Sequence, residues 1–455
     1  MTMGKSLPIA RWRALSYVPQ RWALDNVHAS EARFIAAVTS RQAGKSFCAA
    51  IEVDDGMNQP EDEFGLPVVG LISPTYSHCD IVVDRYLEFL TKAFGRDSFK
   101  YNQNKHLITI EDAAAGTVGA RFQWLSADDP MFAMGRTYSR LLFDEAQRVS
   151  DEVFNKARPT VSVRNGDIRA FGTPDINPEQ SWFKGMWLMG QEDDPEYHSF
   201  SLPWQQNKFM SVNDIKSAKA QSTDREFRML YMGEWVDDEG SFFVDFDRAM
   251  LPDEPVFEKN HTYVMGVDFA AVEDYNAVIV ADLSTRSCVF HRRWNKTDPL
   301  LTYEQISDIW EDWGKPKAYC DETGLGGIAM MAELKERGIR CIPIKFGANQ
   351  YSNQKMEIYS RLAADLEHRR IMYPRSWEDL TRELKGFVYQ KTPSGRITAA
   401  AAAGFHDDMV AALALVNEGL RSRSRTGSNI TKSYLTGNNS PMNTEAKMRD
   451  LLRSL

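Results

Sequence analysis

An octapeptide near the N-terminus, TSRQAGKS at residues 39–46, comes close to the phosphate-binding pattern GxxxxGK[ST]. Gly44, Lys45 and Ser46 match the pattern, whereas Thr39 stands where the first glycine is expected. The loop follows the apolar run FIAAV and precedes a helical pattern, so free N–H groups at a helix start would face a phosphate. The lysine would then reach the β- and γ-phosphates, and the serine hydroxyl would ligate Mg²⁺. The alternative is a chance GKS in a polar turn.

Two further apolar runs end in residues suited to nucleotide hydrolysis. The run LLFDE ends in Asp144 and Glu145, as a Walker B element does. The aspartate would hold Mg²⁺ through water, and the glutamate would activate the attacking water. Thr173, in FGTP, follows another apolar run, where it would sense the γ-phosphate. Each segment alone is also typical of an ordinary turn, but together with the loop they predict an ATP site.

Aspartates form a second candidate centre in the C-terminal half. Asp268 ends the strand-like run in GVDFA, Asp321 ends another in KAYCDETG, and Asp407 and Asp408 precede the helical run MVAALAL. Clustered carboxylates bind Mg²⁺ or Mn²⁺, and two such ions about 4 Å apart clamp an in-line phosphoryl displacement. Each aspartate alone also suits a turn or a helix N-cap. Together they predict a metal site that acts on phosphodiesters.

The composition narrows the class of protein. The 455 residues carry 54 Lys or Arg against 63 Asp or Glu, a formal net charge of −9, so there is no overall basic balance typical of a nucleic-acid binder. A local basic channel is still compatible with that charge. Five cysteines without a CxxC pair predict a reducing, cytoplasmic compartment and neither a zinc site nor a disulfide framework. The chain shows no apolar run long enough for a membrane span and no secretory signal at its start.

The elements that would position these residues follow an α/β pattern. Between residues 30 and 175, apolar strand candidates alternate with helical segments, which predicts a mostly parallel sheet covered by helices. Residues 176–255 show few clear strands, and we interpret them as a helical lid or linker. From residue 261, three strands in a meander are followed by alternating helices and strands, with the clearest helical period at 354–370.

The ordered set of motifs resembles the large terminase subunit of tailed bacteriophages, an ATP-driven DNA-packaging motor. In chain order the motifs are SRQAGKS, LLFDEAQ, FGTP, YMGEWVDDEGSFF, GVDFA, CDETG and HDDMVAALAL, and the resemblance covers roughly residues 15–420. It implies an N-terminal P-loop ATPase and a C-terminal RNase H-like α/β nuclease. The predicted bounds are 1–205 for the ATPase domain, 206–258 for the linker or lid, 259–420 for the nuclease and 421–455 for a flexible basic tail.

The same resemblance implies roles for individual residues of the ATP site. Phosphate loops of this family often carry Arg-Gln before GKS and lack the first glycine, so Thr39 is a family variation. Arg41 resembles an arginine that acts on the γ-phosphate in cis, Gln20 resembles a glutamine that reads adenine, and Thr173 matches a coupling motif. The predicted ATP-binding residues are Gln20, Ser40, Arg41, Gln42, Ala43, Gly44, Lys45, Ser46, Asp144 and Thr173, with Arg41 and Glu145 as catalytic residues.

For the nuclease, the resemblance maps the metal ligands onto aspartates. The catalytic metal ligands are predicted as Asp268, Asp321 and Asp407, with Asp408 as the alternative third ligand. Asp274 matches an acidic position with a supporting role. Ala411 stands where some relatives carry another acid on the same helix face, so the second metal would be held less tightly. The expected cofactors are ATP and Mg²⁺, with Mn²⁺ also suited to the nuclease.

The implied activity couples two reactions. The motor hydrolyses ATP to pull double-stranded DNA through the portal protein of an empty capsid, and the nuclease cuts concatemeric DNA at the start and end of packaging. DNA contacts would be mainly to phosphates, with sequence choice left to a small terminase subunit. Further copies of the chain are expected in a homo-oligomeric ring, a pentamer, on the procapsid. The implied location is the host cytoplasm, with no membrane involved and no place in the mature virion.

Two other interpretations of the same residues stay open at this point. One is a helicase-like or repair ATPase fused to a resolvase-like nuclease, which would separate strands without a capsid partner. The other is a non-catalytic module in which ATP switches capsid or portal assembly. The second interpretation predicts that removing Asp321 changes no chemistry.

Overall fold

The apolar runs of the N-terminal half form one large mixed sheet in the computed structural model. Its strands are β1 Phe34–Thr39, β2 Val68–Ser73, β3 Phe99–Asn102, β4 Leu107–Ile110, β5 Arg121–Ser126, β6 Arg140–Asp144, β7 Asp167–Gly172 and β8 Tyr197–Leu202. They lie in the order β3-β4-β5-β2-β6-β7-β1-β8. Near one edge β4 pairs antiparallel with both β3 and β5, and all other neighbouring strands of the sheet pair in parallel. The predicted mostly parallel sheet is therefore confirmed.

Helices cover this sheet. They are α1 Lys45–Met57, α2 Tyr76–Phe94, α3 Asp151–Ala157, α4 Trp182–Met189, α5 Val212–Gln221 and α6 Asp224–Phe227, with π-helical turns at Ala23–His28 and Arg228–Met232. The buried face of α2 repeats at helical spacing from Cys79 to Leu90. The strand β1 is buried along its whole length, as expected for a parallel strand covered on both faces.

Three strands of this sheet were missed by the sequence pattern. The strands β3 and β4 are short and half-buried, so they lack the continuous apolar run that indicates the others. The strand β8, with the sequence YHSFSL, lies inside residues 176–255, where the sequence predicts few strands. The described part of that range has few strands, as predicted, but β8 is one that the pattern did not identify; it is a polar strand and pairs in parallel with β1.

The C-terminal half contains a second sheet that begins with the predicted meander. Its strands β10 Tyr263–Asp268, β11 Asn276–Asp282, β12 Cys288–Trp294, β13 Lys317–Asp321 and β14 Cys341–Ile344 lie in the order β12-β11-β10-β13-β14, and shorter strands are β9 Met250–Leu251, β15 Tyr373–Pro374, β16 Phe387–Lys391 and β17 Ile397–Ala401. The helices are α7 Pro299–Asp312, α8 Gly324–Glu336, α9 Gln354–Glu367, α10 Glu378–Lys385 and α11 Asp408–Ser424. The strands β10, β11 and β12 pair antiparallel, whereas β13 and β14 continue in parallel.

Two glycines let α11 lie directly against this sheet. A Cβ atom on Gly266 of β10 would collide with the backbone carbonyl of Ala412 and with Val416. On the helix side, a Cβ on Gly419 would lie 2.8 Å from the ring of Tyr319 on β13. The close approach fixes where the N-terminus of α11 stands relative to the ends of β10 and β13.

The structure describes residues 23–28, 30–128, 135–175, 181–192, 194–207, 209–236, 240–269, 275–295, 298–346, 354–391 and 397–424. These residues form two compact units: the first runs up to residue 245 and includes 385–403, and the second comprises 246–384 and continues from 404. The hairpin of β16 and β17 belongs to the first unit, where Tyr389 accepts a hydrogen bond from Arg225 at 2.7 Å. The domain bounds proposed from the sequence divide the chain differently and stay predictions.

The predicted residues Gln20 and Asp274 and the tail beyond 424 lie outside the described residues. All five cysteines are buried free thiols. None of the described helices is both long enough and apolar enough to cross a membrane.

A buried ion network links the phosphate-loop helix to the middle of the first sheet. The guanidinium of Arg140 on β6 lies 3.1 Å from Glu52 and 2.8 Å from Asp55, both on α1, and 2.8 Å from Asp167 on β7. Burial alone would raise the pKa of Glu52, but the hydrogen bond with His28 and the charge of Arg140 lower it to about 2. The helix that carries the phosphate loop is thus tied to two neighbouring strands.

Replacement of Arg140 by Met should destabilise the first unit strongly. Removing one partner from a buried ion pair costs about 3–5 kcal/mol. At about 2–4 °C per kcal/mol for a domain of this size, the midpoint of that unit's thermal transition should fall by about 6–20 °C in scanning calorimetry. Arg85→Met is the control because Arg85 pairs with Glu88 on an exposed helix face, where the loss should stay below about 1 kcal/mol. Equal midpoints for the two variants would contradict the prediction.

Candidate functional site

The phosphate loop joins β1 to α1, as the sequence predicts. Thr39 is the last residue of β1 and pairs with Leu202 of β8, so its backbone is extended and needs no glycine. The turn itself is made by Gln42 and Gly44, which have φ angles of +61° and +88°. Gly44 is the N-cap of α1, so Lys45 opens the helix. The variant residue at the start of the motif therefore leaves the loop's geometry intact.

Backbone contacts from residues 202–230 hold this loop in place. The N–H of Ser40 donates to the carbonyl of Leu202, and the N–H of Arg41 donates to that of Leu230, both at 2.8 Å. The Asn207 side-chain amide donates to the carbonyl of Gln42 at 2.5 Å. These anchors come from the segment interpreted as a lid or linker, and nothing in its local pattern indicates the contacts.

The predicted ATP residues converge at the carboxyl ends of β1, β6 and β7. The ammonium of Lys45 donates to the hydroxyl of Thr173 at 2.9 Å and lies 3.8 Å from a carboxylate oxygen of Glu145. The hydroxyl of Ser46 donates to Asp144 at 3.1 Å. The loop lysine, both Walker B acids and the threonine of FGTP thus form one cluster. Ala43 is buried beside it, and Arg41 is exposed.

The charges in this cluster are strongly coupled. Burial lowers the pKa of Lys45, although the charges of Glu145 and Asp144 oppose that effect. Burial and the neighbouring Glu145 charge raise the pKa of Asp144 to about 6. Burial would raise the pKa of Glu145, but the charge of Lys45 holds it below its usual value.

The acids and the serine suit a magnesium ion. One carboxylate oxygen of Asp144 is buried and accepts no hydrogen bond from any residue that the structure describes. Its other oxygen already meets the hydroxyl of Ser46. Buried carboxylate oxygens require a partner, and a hard cation prefers oxygen ligands of this kind. The residues present therefore fit Mg²⁺.

The second predicted site forms at the end of the C-terminal sheet. Asp268 and Asp321 end the adjacent parallel strands β10 and β13. Asp407 stands immediately before α11, and its carbonyl accepts the N–H of Ala411 at 2.8 Å. Burial raises the pKa of Tyr359 on α9, and the charges of Asp407, Asp268 and Asp321 raise it further. The three carboxylates therefore lie close enough to one buried tyrosine for their charges to act on it.

Threonine and lysine side chains complete this site, and the sequence analysis missed both. Thr323 orients Asp321: its backbone N–H and its hydroxyl donate to the same carboxylate oxygen at 2.7 and 2.5 Å. The N–H of Phe346 donates to that hydroxyl at 3.0 Å. The ammonium of Lys355 lies 4.0 Å from the carboxylate of Asp407. Lys355 lies one helical turn before Tyr359, and nothing in that spacing indicates that the lysine contacts an aspartate.

The paired acids at the start of α11 have different surroundings. Asp408 is buried: one carboxylate oxygen accepts from Arg293 at 3.0 Å and the other from the N–H of Tyr275 at 3.4 Å. Asp407 is half-buried and faces Lys355. The structure therefore engages Asp408 in the protein interior and leaves Asp407 at the site.

Glu383 is a further acid that the sequence analysis did not single out. One of its oxygens accepts from the N–H groups of Met409 and Val410, at 2.8 and 3.2 Å, so it binds the free N-terminus of α11. Burial raises its pKa to about 7, and the charge of Arg293 opposes that rise. Glu383 and Arg293 thus fix the first turn of the helix that follows Asp407.

Among the described residues, only His28, Glu52 and Asp55 bring three candidate ligand atoms within 4.8 Å of one another. The guanidinium of Arg140 already binds both acids of that group, which makes it an ion network rather than a metal site. The three aspartates around Tyr359 are spaced more widely. Their oxygen ligands still suit Mg²⁺ or Mn²⁺, which bring waters of their own.

Family models match both halves of the chain. Residues 37–250 match the family described as terminase large subunit, T4likevirus-type, N-terminal. Residues 265–418 match the terminase RNaseH-like domain. The chain belongs to the family of terminase large subunits. The predicted RNase H-like α/β fold of the C-terminal half is thereby confirmed, along with the resemblance on which it rested.

Relatives of this family support the match over most of the chain. The terminase large subunit of Thermus virus P23-45 is 27% identical over 441 residues, which cover 88% of this chain and 87% of that protein. The terminase large subunit of Escherichia phage T5 is also 27% identical, over 52% of this chain and 53% of its own. The solved structure of a large terminase from a thermophilic bacteriophage is similar in fold, with a TM-score of 0.50 and 17% identity over 91% of this chain and 98% of its own.

Replacement of Thr323 by Val should weaken divalent-metal binding at the second site. The change removes the hydroxyl that orients Asp321, and loss of such supporting hydrogen bonds typically costs about 10–100-fold in metal affinity. Thr323→Ser keeps the hydroxyl and should bind Mn²⁺ like the wild type in calorimetric titration. Thr381→Val is the matched control because the Thr381 hydroxyl donates to the backbone carbonyl of Trp377 and not to one of the three aspartates. Wild-type Mn²⁺ affinity in Thr323→Val would contradict the prediction.

Proposed function

We propose that this chain uses ATP hydrolysis to translocate double-stranded viral DNA into a procapsid and cuts concatemeric DNA with a metal-dependent endonuclease. One observation supports the first activity most directly: Lys45, Asp144, Glu145 and Thr173 form a single cluster at the carboxyl edge of the first sheet. Double-stranded DNA is proposed as the substrate because the chain belongs to the family of terminase large subunits. The aspartates around Tyr359 supply a site for the second activity.

In the proposed ATPase mechanism, each residue of the cluster has a defined task. The loop N–H groups and Lys45 bind the phosphates. Ser46 and Asp144 would hold Mg²⁺, which would supply positive charge to offset that of the phosphates. Glu145 accepts the proton of the attacking water. Arg41 is exposed, so its guanidinium is suited to reach the γ-phosphate in cis. Gln20 is proposed to read adenine.

In the proposed nuclease, Asp268, Asp321 and Asp407 would hold the divalent metal. The metal would stabilise the attacking and leaving oxygens of the phosphodiester displacement. Asp408 is assigned a supporting role because both of its oxygens are already engaged by Arg293 and Tyr275. Mn²⁺ is proposed as an alternative to Mg²⁺ because both are hard cations that accept carboxylate ligands.

The partners are proposed from family membership. They are the portal protein, a small terminase subunit and further copies of this chain in a ring of five on the procapsid, all within the host cytoplasm. With a net charge of −9, phosphate contacts would come from local basic groups and be weakened by salt.

Two single substitutions should separate the two activities. Glu145→Gln removes the proposed general base, so ATP hydrolysis should fall by at least about 100-fold, while nicking of supercoiled plasmid in Mn²⁺ stays at the wild-type rate. Asp321→Asn should abolish nicking and leave ATP hydrolysis unchanged. Asp312→Asn is the control for Asp321→Asn because it removes one exposed carboxylate from the second unit, to which Asp321 also belongs. Nicking by Asp321→Asn at the wild-type rate would refute the nuclease, and hydrolysis by Glu145→Gln at the wild-type rate would refute the ATPase assignment.

A translocase and a helicase differ in what they do to the duplex. Incubated with ATP and procapsids that carry a portal, the chain should displace a third strand bound to an intact duplex. It should leave a forked duplex of the same length paired, because a packaging motor moves both strands together. Gel electrophoresis of labelled oligonucleotides reads both outcomes. Unwinding of the fork without procapsids would favour the helicase-like interpretation instead.

A further inference from the structure

Gln147 joins two strand ends of the ATP site, those of β6 and β7. Its side-chain amide donates to Glu145 at 2.8 Å. Its side-chain carbonyl accepts the backbone N–H of Thr173 at 3.2 Å. The residue therefore binds the proposed general base with one end and the segment after β7 with the other. The sequence analysis quoted Gln147 within LLFDEAQ but assigned it no role.

These contacts close a ring with Lys45. The ammonium of Lys45 donates to the hydroxyl of Thr173 and lies 3.8 Å from Glu145. Gln147 supplies the opposite side of the ring by bonding to Glu145 and to the backbone of Thr173. Glu145 and Thr173 are thus linked twice, once through a charged side chain and once through a neutral one.

The local backbone shows why this link is needed. Glu145 has a φ angle of +53°, a left-handed conformation that a residue with a side chain adopts only when its surroundings hold it there. The turn Ala146–Arg148 follows at once and brings Gln147 back toward Glu145. On the opposite side, a Cβ on Gly172 would lie 2.7 Å from the side-chain carbonyl of Gln147. The glycine of FGTP therefore leaves the space that Gln147 occupies.

We propose that Gln147 is a positioning residue for ATP hydrolysis, which orients the carboxylate of Glu145 and couples its position to the segment at Thr173. The inference rests on the proposed function, because it takes Glu145 as the base that activates water. It goes beyond that function by naming the group that holds the base.

The binding of ATP makes the orientation of Glu145 depend on Gln147. When the phosphates of ATP draw the ammonium of Lys45 toward themselves, its contacts with Glu145 and Thr173 weaken. Gln147 is neutral and is not drawn to the phosphates, so its two hydrogen bonds persist. Glu145 then depends on Gln147 for its orientation at the stage at which hydrolysis takes place. A change in that orientation is transmitted to the backbone of Thr173 through the same side chain.

Two variants of similar size separate the two hydrogen bonds. Gln147→Met removes both of them and keeps the length of the side chain. Gln147→Glu keeps an oxygen to accept the N–H of Thr173 but replaces the donor to Glu145 with a negative charge. Gln191 gives matched controls, Gln191→Met and Gln191→Glu, because its side-chain amide also donates two hydrogen bonds, to the carbonyl and hydroxyl of Ser199. It belongs to the same unit and has no part in the ATP site.

Single-turnover ATP hydrolysis and nucleotide affinity are measured on the full chain, with a fluorescent ADP analogue for the affinity. Gln147→Met should lower the hydrolysis rate by about 10–100-fold, the loss expected when a catalytic group is misplaced by roughly 1 Å. The dissociation constant for the analogue should stay within about two-fold, since the phosphate loop is untouched. Gln147→Glu should hydrolyse no faster than Gln147→Met, because its charge repels Glu145. Both Gln191 variants should behave as the wild type.

Other results overturn the proposal. A Gln147→Met rate within about two-fold of the wild type contradicts a positioning role. A Gln147→Glu rate well above that of Gln147→Met shows that the bond to Thr173 matters and the bond to Glu145 does not. A parallel loss of rate, nucleotide affinity and thermal midpoint shows that Gln147 is only structural. If the wild type itself binds the analogue without hydrolysing ATP, the proposed function fails and this inference fails with it.

Discussion

A buried positive charge, the ammonium of Lys45, is the interaction on which the nucleotide site depends. Burying a cation is costly unless opposite charges and hydrogen-bond acceptors surround it, and here Glu145 and Thr173 do so. The same charge allows two adjacent acids, Asp144 and Glu145, to stand at one strand end despite their mutual repulsion. That arrangement requires β6, β7 and β1 to be neighbours in the sheet, and the order of strands makes them so. The ion pairs of Arg140 with Glu52 and Asp55 then hold α1, which follows the phosphate loop, in place against those strands.

The second unit also places several acids near one another, which would repel, and these acids fall into two groups. Asp408 and Glu383 share the guanidinium of Arg293, which neutralises them inside the protein and secures the start of α11. The aspartates that end β10 and β13, and the one that precedes α11, instead act by their charges on the buried Tyr359, and Lys355 lies 4.0 Å from the carboxylate of Asp407. Three carboxylates grouped in this way offer the oxygen ligands that divalent cations prefer. Asp407 and Asp408 are adjacent in the sequence but have different surroundings, because Asp408 opens α11 and pairs with Arg293 whereas Asp407 precedes the helix and faces Lys355.

Sequence patterns predicted the parts of this molecule that depend on local composition. The continuous apolar runs indicated β1, β2, β5, β6 and β7 in the first sheet and the meander of β10, β11 and β12 in the second. The residue types at the ends of β1, β6 and β7 indicated the first candidate site, and the aspartates that end β10 and β13 indicated the second. The pattern failed at β8, whose polar residues alternate weakly, and at contacts between distant parts of the chain. Asn207 meets Gln42 across 165 positions, and Arg293 meets Asp408 across 115. Periodicity reports which side of an element is buried, not which remote group it meets. Gln147 and Thr323 escaped notice for a different reason: the acids they bind, Glu145 and Asp321, lie only two residues away, but a local polar pair of this kind is also typical of an ordinary turn.

The hairpin of β16 and β17 makes each compact unit discontinuous in the sequence. The chain enters the second unit after residue 245, returns to the first at 385 and leaves it again after 403. A single recombination event in the gene therefore cannot exchange one whole unit for that of a relative. An exchange at one junction would combine a hairpin from one lineage with the phenylalanines at 242–243 from another, against which Phe387 packs. An exchange that preserves this packing must therefore carry residues 385–403 together with the segment up to residue 245.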